Sequence, residues 1–192
     1  VTPMHLDGIL GRYSLGGKHL IHPGPTADEI DLIAQAALRA PDHGELTPFR
    51  LCIISGDARM RLADLFETYA RAHAKSDESC QIERARALSV PLTIAVIAKI
   101  DMSHPLTPAH EQWMCVGGAV TNILNAIHLL GYAGKMLSGG KVRDPQIIQA
   151  FCQSGEILVG WMVVGTASVK LRIKRHKTTE QFVSIFKNHQ EL

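Results

Sequence analysis

No stretch of this sequence is long and apolar enough to cross a bilayer. The longest apolar runs, residues 92–98 and 157–165, have about half of the roughly 20 residues that a transmembrane helix requires. The chain also does not open with the cationic and apolar segments of a secretory signal. We therefore expect a cytoplasmic protein without a membrane partner.

Closely spaced cysteines and clustered metal ligands are also missing. The four cysteines, Cys52, Cys80, Cys115 and Cys152, lie far apart without a CxxC motif, and the ten histidines form no obvious cluster. A zinc site or a disulfide framework requires such spacing. The sequence thus predicts reduced thiols and no metal site.

The sequence motifs that would indicate catalysis by side chains alone are incomplete or missing. Gly140-Lys141 would complete a phosphate-binding loop only with a glycine at position 135 and serine or threonine at position 142, but the chain has Lys135 and Val142. His110-Glu111 lacks the second histidine of a metalloprotease helix, because Met114 occupies that position. No GxSxG nucleophile elbow occurs either. No catalytic side chain is predicted, and an enzyme of this sequence would need a cofactor for its chemistry.

Neither charge sign is strongly in excess. The formal net charge is +2, and five cations crowd into residues 170–177, KLRIKRHK. Such a cluster can bind nucleic acid, but no aromatic residues interleave with it to stack on bases. We expect no nucleic-acid partner and keep RNA or DNA binding only as the weakest of the alternatives.

What the sequence does contain is a succession of helix and strand patterns. A capping box over Thr26–Glu29 begins an amphipathic helix that Pro41 ends. Further helices are predicted over 57–74, 77–88, 107–130 and 144–151, buried strands over 51–55, 90–99 and 157–165, and a flexible loop over 131–144. With 46% hydrophobic residues, the 192-residue chain is predicted to be one α+β domain, residues 1–192, or one subunit of a dimer. Residues 168–192 would form a polar C-terminal arm.

The longest predicted helix has two adjacent glycines, Gly117 and Gly118, near its centre. Each glycine costs up to about 1 kcal/mol of helix propensity relative to alanine. We therefore expect another group to approach this helix closely, either a partner helix or a flat ligand.

Four segments together resemble a known family in their order and spacing. They are PGPTADEIDLIAQAALRAPDHGELTPFRLCII, VPLTIAVIAKI, EQWMCVGGAVTNILNAIHLLGYAG and EILVGWMVVGT. This pattern, over roughly residues 7–167, resembles the short single-domain branch of the nitroreductase family of FMN-dependent oxidoreductases. The resemblance implies a small mixed sheet flanked by helices and a long central helix at a dimer interface. It also implies an intertwined homodimer with two FMN sites, each built from both chains.

Site residues follow from the same resemblance. The segment GRYS resembles the family's basic-x-Ser segment, which implies that Arg12, Tyr13 and Ser14 hold the ribityl-phosphate chain of FMN. A guanidinium suits phosphate because it donates paired, charge-assisted hydrogen bonds. Arg39 and His43 match positions that contact the flavin from the partner subunit. The alternative for both is an ordinary helix-end or loop residue.

The segment after the long helix departs from the family pattern. The family's aromatic-Arg-Ser-Gly segment corresponds to Leu137, Ser138 and Gly139, so a leucine stands at the arginine position. A Lys-x-Arg pair of larger relatives resembles Lys170 and Arg172, whose side chains would share one side of an extended segment. These two cations are predicted to contact the phosphate in place of the missing arginine. Alternatively, they are charges on a solvated edge strand.

The resemblance implies a function in two half-reactions. NAD(P)H, as co-substrate, would reduce FMN, and the flavin would reduce a nitroaromatic, a quinone or a related small-molecule acceptor. The alternative is a catalytically silent dimer that keeps the scaffold and binds a ligand or binds flavin weakly.

Overall fold

The computed structural model describes residues 6–170 and 178–186 of the chain. Its helices are α1 (Leu6–Leu10), α2 (Ala27–Ala37), α3 (Ala58–Ala72), α4 (Asp77–Ser89), α5 (Ala109–Leu129) and α6 (Pro145–Phe151). Its strands are β1 (Leu20–Ile21), β2 (Phe49–Ile54), β3 (Leu92–Lys99), β4 (Ala133–Leu137) and β5 (Glu156–Ala167). Short 3-10 turns occupy Gly17–His19, Gly140–Arg143 and Thr179–Gln181. The predicted α+β class is confirmed.

The sheet is built around the long strand β5. Its order is β1-β5-β3-β2, with β4 also paired to β5. Residues 156–164 of β5 pair with β3. Residues 161–165 of β5 pair with β4, and residues 166–167 pair with β1. All four ladders are antiparallel, so the expected mixed sheet is corrected. The parallel pairing in the described chain is an isolated bridge between Ser14 and Gly134, too short to form a ladder.

Helices cover both faces of this sheet. On one face, Ile94, Val96 and Met162 pack with α2 and α5 in the larger apolar cluster. On the other face, Ile97 and Trp161 pack with α3 and α6 in a second cluster. Strand β3 is buried from Leu92 to Ala98 because both of its faces are covered.

Local signals placed most helix boundaries correctly. The Thr26 side chain accepts from the Glu29 backbone N–H, and the Glu29 carboxylate accepts from the Thr26 N–H, which confirms the capping box. The predicted flexible loop over 131–144 is wrong, because it contains β4 and a 3-10 turn. Gly134 allows β4 to approach β5 closely, since a Cβ there would lie 2.8 Å from the Val163 carbonyl oxygen.

The two glycines of α5 have different surroundings. A Cβ on Gly118 would lie 3.2 Å from the Cβ of Ala40, so the segment just after α2 is the group that approaches it. Gly117 has no heavy atom of the described chain within 4 Å of such a Cβ. Gly117 lies on the exposed side of α5, beside Trp113 and Met114.

Among the helices of the described residues, none combines the length and apolarity needed to span a bilayer.

Candidate functional site

A cavity of about 850 Å³ lies between the sheet and the helices α3 and α4. Its lining includes apolar and aromatic residues of α3, the inner side of α4, the 3-10 turn Gly17–His19 and the ends of β4 and β5. Trp161 and Val163 line it from β5, so it lies on the sheet face opposite α5. Its size is in the usual range for a cofactor or small-molecule site.

Strand β4 brings the predicted segment Leu137–Gly139 to this cavity. Leu137 is the cross-strand partner of Trp161, and directly opposed residues share a face, so both side chains line the cavity. Gly160 permits this pairing, because a Cβ there would collide with the Leu137 carbonyl. Ser138 also lines the cavity, and Gly139 follows with a φ of 131°, a conformation that favours glycine.

A buried carboxylate joins three cations on the cavity wall. Glu83 of α4 accepts from Lys141 Nζ at 2.7 Å, from Arg86 at 2.8 Å and from Lys75 Nζ at 3.1 Å. Burial alone would raise the pKa of Glu83, but these cations, led by Lys141, outweigh it and hold the pKa below the ordinary value. The Lys141 ammonium also lies 4.7 Å from the centre of the Phe66 ring. The Glu83 carboxylate therefore stays ionised at neutral pH.

Two other polar groups of the cavity lack a partner. Trp161 Nε1 and Thr93 Oγ1 are buried and form no hydrogen bond within the described chain. Both residues line the cavity. Buried polar groups in native proteins nearly always have partners, so these two enclosed atoms are exceptions.

The N-terminal segment lies beside β4. Ser14 bridges to Gly134, and the Arg12 guanidinium donates to the Ser14 hydroxyl at 3.3 Å. No carboxylate of the described chain pairs with Arg12. Tyr13 is half-buried and packs against the small apolar cluster that contains Leu15. This guanidinium and hydroxyl are therefore placed together, and their contact with a phosphate stays a prediction.

The predicted flavin loop is fastened to the start of α5. His43 Nδ1 lies 2.6 Å from Glu111 Oε2, and a carboxylate can only accept, so Nδ1 carries the proton and Nε2 is left outward. The Thr107 hydroxyl donates to the His43 carbonyl at 3.3 Å, and the Asp42 carboxylate accepts from the Thr47 N–H at 2.7 Å. The loop is thus held in one conformation while its histidine stays exposed.

The predicted residues form two groups that one chain does not bring together. Arg12 lies near the last turn of α5, since a Cβ on the adjacent Gly11 would lie 3.6 Å from His128 Nε2. His43 lies at the first turn, against Glu111. At a rise of about 1.5 Å per residue, Glu111 and His128 are about 25 Å apart along the helix.

The remaining predicted residues are less constrained. Arg39 is exposed at the end of α2, with no side-chain partner in the described chain. Lys170 is exposed just past β5, and Arg172 lies outside the described residues. The predicted phosphate contact of Lys170 and Arg172 stays a prediction.

Sequence reasoning missed the polar part of the cavity. In the sequence, Lys141 belongs only to an incomplete phosphate-binding motif, and Glu83 lies in a helix with many charges. Their pairing depends on the fold, because Glu83 and Lys141 are separated by 58 residues. The one available signal was Trp161, an indole with a donor group inside an otherwise apolar strand.

The described part of the chain has no cluster of metal ligands, and the thiol of Cys115 is less acidic than usual. No group of three or more metal-ligating side chains occurs there. Burial, followed by the nearby Asp42 carboxylate, raises the pKa of Cys115 to about 11, so this thiol stays protonated at neutral pH.

Comparison with solved structures defines the class of fold. A nitroreductase-like family protein from Bacillus cereus matches with a TM-score of 0.82 at 19% identity, covering 97% of this chain and 98% of that one. The nitroreductase CinD from Lactococcus lactis, in complex with nicotinic acid, matches with a TM-score of 0.76 at 17% identity, covering 95% and 100%. The fold is therefore nitroreductase-like.

Sequence comparison then gives the family. The nitroreductase family's sequence profile matches residues 11–166. The Escherichia coli K12 protein named "Putative NAD(P)H nitroreductase YdjA" is 32% identical over 166 residues, covering 86% of this chain and 89% of the relative. A Haemophilus influenzae protein with a similar name is 28% identical over 169 residues, covering 87% and 92%. The chain belongs to the nitroreductase family, and it is an oxidoreductase of that family.

Proposed function

We propose that the protein is an FMN-dependent NAD(P)H oxidoreductase that reduces small aromatic acceptors. The observation that carries this proposal is the cavity at the end of β4. Leu137 and Ser138, two residues predicted for the cofactor, line it. Gly16, Gly17 and Lys18, which follow the Arg12–Ser14 segment, line the same cavity.

The residues present fit a flavin. FMN combines a flat aromatic ring that carries acceptor atoms with a dianionic phosphate. The cavity supplies apolar surface from Leu137 and Val163, and a cation from the exposed Lys18. Arg12 has no competing carboxylate in the described chain and is paired with the Ser14 hydroxyl, which suits a phosphate.

The chain's own residues would bind and orient rather than transfer protons. Arg12 and Ser14 would hold the phosphate, and Lys170 with Arg172 would add charge there. Bound FMN supplies reversible uptake and release of a hydride. The apolar walls exclude water, and His43, fixed by Glu111, would present Nε2 to the flavin site of a second copy.

A homodimer is part of the proposal. The two groups of predicted residues lie about 25 Å apart along α5, so only a second copy packed against this helix can bring them together. Apolar side chains are exposed on α5 and on the neighbouring α1, including Met114, 71% exposed, and Leu10, 58% exposed. Phe186, in the C-terminal arm, is 96% exposed. Their burial would make one core shared by two chains.

The acceptors are proposed to be small aromatic molecules. CinD, a structural neighbour, has been solved in complex with 4-nitrophenol, chloramphenicol and nicotinic acid. A cavity with ring and apolar walls suits the same kind of molecule here. We also propose a cytoplasmic location, where NAD(P)H is available.

The test is FMN binding with a gain-of-contact variant. We expect the purified protein to bind FMN and to oxidise NAD(P)H when a quinone or nitroaromatic is added. Leu137→Arg should bind FMN about tenfold more tightly, because it adds a charge-assisted contact worth about 1.5 kcal/mol. Titration by quenching of flavin fluorescence measures the FMN affinity of the parent and of the variant. A purified protein that is colourless and does not bind added FMN would contradict the proposal and favour the catalytically silent alternative.

A further inference from the structure

The α4 side of the cavity carries three cations around one carboxylate. Glu83, with a side chain only 7% exposed, is the centre of this group. Its Oε1 accepts from Lys75 and Arg86, and its Oε2 accepts from Lys141. All four residues line the cavity. Three positive charges against one negative charge leave a net charge of +2 on this group, which we call the cation cluster.

The cations of this cluster keep donors that the chain does not use. A lysine ammonium has three N–H donors, and a guanidinium has five. Within the described residues, the three side chains donate hydrogen bonds only to Glu83. The side chain of Arg86 is 66% exposed and that of Lys75 is 37% exposed, so their remaining donors are accessible to a ligand. A ligand can therefore use them without displacing Glu83.

The third cation is held in place by the cavity wall. Gly140 lets its 3-10 turn approach α3 closely, since a Cβ there would lie 2.5 Å from the Tyr69 hydroxyl oxygen. The Nζ of the next residue, Lys141, lies 4.7 Å from the centre of the Phe66 ring and 5.5 Å from that of Tyr69. Both rings favour a cation at their faces. The charge of Lys141 is therefore fixed beside Glu83.

Two of the cations are close enough to share one anion. Lys75 Nζ and Arg86 Nη1 each lie within about 3 Å of the same Glu83 oxygen, so they are at most about 6 Å apart. A phosphomonoester has a charge of about −1.5 to −2 at neutral pH and three strong acceptor oxygens. Its charge matches the cluster's +2, and its oxygens can accept from Lys75 and Arg86 together. A carboxylate has one negative charge and would leave the cluster positive.

We propose that the cation cluster binds a phosphomonoester dianion, and that this group is the 2′-phosphate of NADPH. The second clause rests on the proposed function, in which NAD(P)H is the co-substrate. The other phosphomonoester of that reaction belongs to FMN and is proposed to contact Arg12 and Ser14, which do not line the cavity. NADH has a hydroxyl in place of the 2′-phosphate and leaves the cluster's charge uncompensated. The cluster thus selects NADPH over NADH.

The phosphate site is tested on flavin-free protein by calorimetric titration with adenosine 2′,5′-bisphosphate and adenosine 5′-monophosphate. These two probes differ only in the 2′-phosphate. We expect the bisphosphate to bind at least tenfold more tightly, with the ratio shrinking as salt is added, because salt screens the cations. Equal affinities for the two probes overturn the proposal. This arm uses the parent chain alone, so it decides even if a variant does not fold.

Variants locate the binding. Lys75→Gln and Arg86→Gln each remove one charge-assisted contact and should weaken the bisphosphate about tenfold, while the affinity for the monophosphate stays the same. Arg84→Gln is the matched control. Arg84 lies in the same helix and pairs with Asp64 and Glu67 but does not line the cavity, so this variant should bind the bisphosphate like the parent. If Lys75→Gln and Arg86→Gln also match the parent, the phosphate binds elsewhere and the proposal is wrong.

FMN-loaded protein separates this inference from the proposed function. A kcat/KM for NADPH at least tenfold above that for NADH, with the ratio falling in Arg86→Gln, supports the NADPH assignment. Equal kcat/KM values overturn that assignment and leave the flavoenzyme standing. If FMN displaces the bisphosphate and riboflavin does not, the cluster holds the phosphate of FMN and the NADPH assignment is wrong. If FMN does not bind but the bisphosphate is still preferred, the proposed function fails and the phosphate site stands.

Discussion

At the scale of single residues, Gly160 shows how one missing side chain shapes the cavity. It lies in β5 where the register with β3 shifts, with a φ of 157°, and its Cα directly faces the Leu137 carbonyl. Any larger residue would push β4 away from β5. Leu137 and Ser138 would then lose their places at the cavity.

Gly160→Ala is therefore expected to lower the free energy of unfolding by more than about 3 kcal/mol, since backbone strain and a collision combine. The matched control is Gly155→Ala. Gly155 has a φ of 79° but no neighbour within 4 Å of a new Cβ, so only the strain of about 1–2 kcal/mol applies. Urea unfolding of the three proteins measures both costs. Equal losses of unfolding free energy in the two variants would show that β4 can move away from a Cβ at position 160 without an energetic cost.

Glu156 gives the fold a pH dependence. Arg50 donates to both of its carboxylate oxygens, and the Gln153 N–H donates to one of them. These contacts, led by the Arg50 hydrogen bonds, lower the pKa of Glu156 to about 2. A lowered carboxylate pKa stabilises the fold above the unfolded value of about 4.5, and this stabilisation is lost as pH falls from about 4.5 to about 2.

Glu156→Gln should therefore cost about 2 kcal/mol at pH 7, the scale of a hydrogen bond to a charged group. The difference between parent and variant should shrink as the pH falls below about 4.5 and vanish near pH 2. Thermal unfolding at a series of pH values measures it. Glu83 also titrates at acid pH, but it is present in both proteins and cancels in the comparison. A difference that stays constant down to pH 2 would contradict the assignment.

At the scale of elements, helix ends were predictable where the signal is local. The capping box of α2 and Pro145 at the start of α6 are written in a few adjacent residues, and both lie where predicted. Strand β4 was missed because Ala133 and Gly134 become strand residues only through their pairing with β5. The cavity was missed for the same reason, since Glu83, Lys141 and Trp161 meet only in the folded chain.

The contribution of the α2 capping box to stability can be measured. Thr26→Ala removes the N-cap acceptor of α2 and should cost about 1 kcal/mol of unfolding free energy. Thr68→Ala is the control, because Thr68 lies inside α3 and its hydroxyl only donates back to the Asp64 carbonyl. Alanine should be neutral or stabilising there by about 0.5 kcal/mol, owing to its higher helix propensity. Chemical denaturation of the two variants should give changes of opposite sign or clearly different size.

At the scale of the whole molecule, one chain keeps the two groups of predicted site residues apart. Arg12 lies near one end of α5, and His43 lies at the other, fixed by Glu111. Between them, the exposed side of α5 presents Trp113, Met114 and the bare surface of Gly117. Two copies packed through this side would cover the apolar groups and bring each His43 loop towards the other chain's Arg12.

Met114→Glu should therefore separate the two copies. Met114 is 71% exposed in one chain, so a charge there does not disturb the chain's own core but would be buried unpaired in a dimer. Sedimentation at micromolar concentration is expected to give a dimer for the parent and a folded 21 kDa monomer for the variant. Met102→Glu is the control, because Met102 is 80% exposed but lies outside α5, and it should stay dimeric. The monomer should also bind FMN at least tenfold more weakly, since it lacks the partner's Arg39 and His43. A Met114→Glu protein that remains dimeric, or a monomer that keeps the parent's FMN affinity, would show that each chain completes its own site.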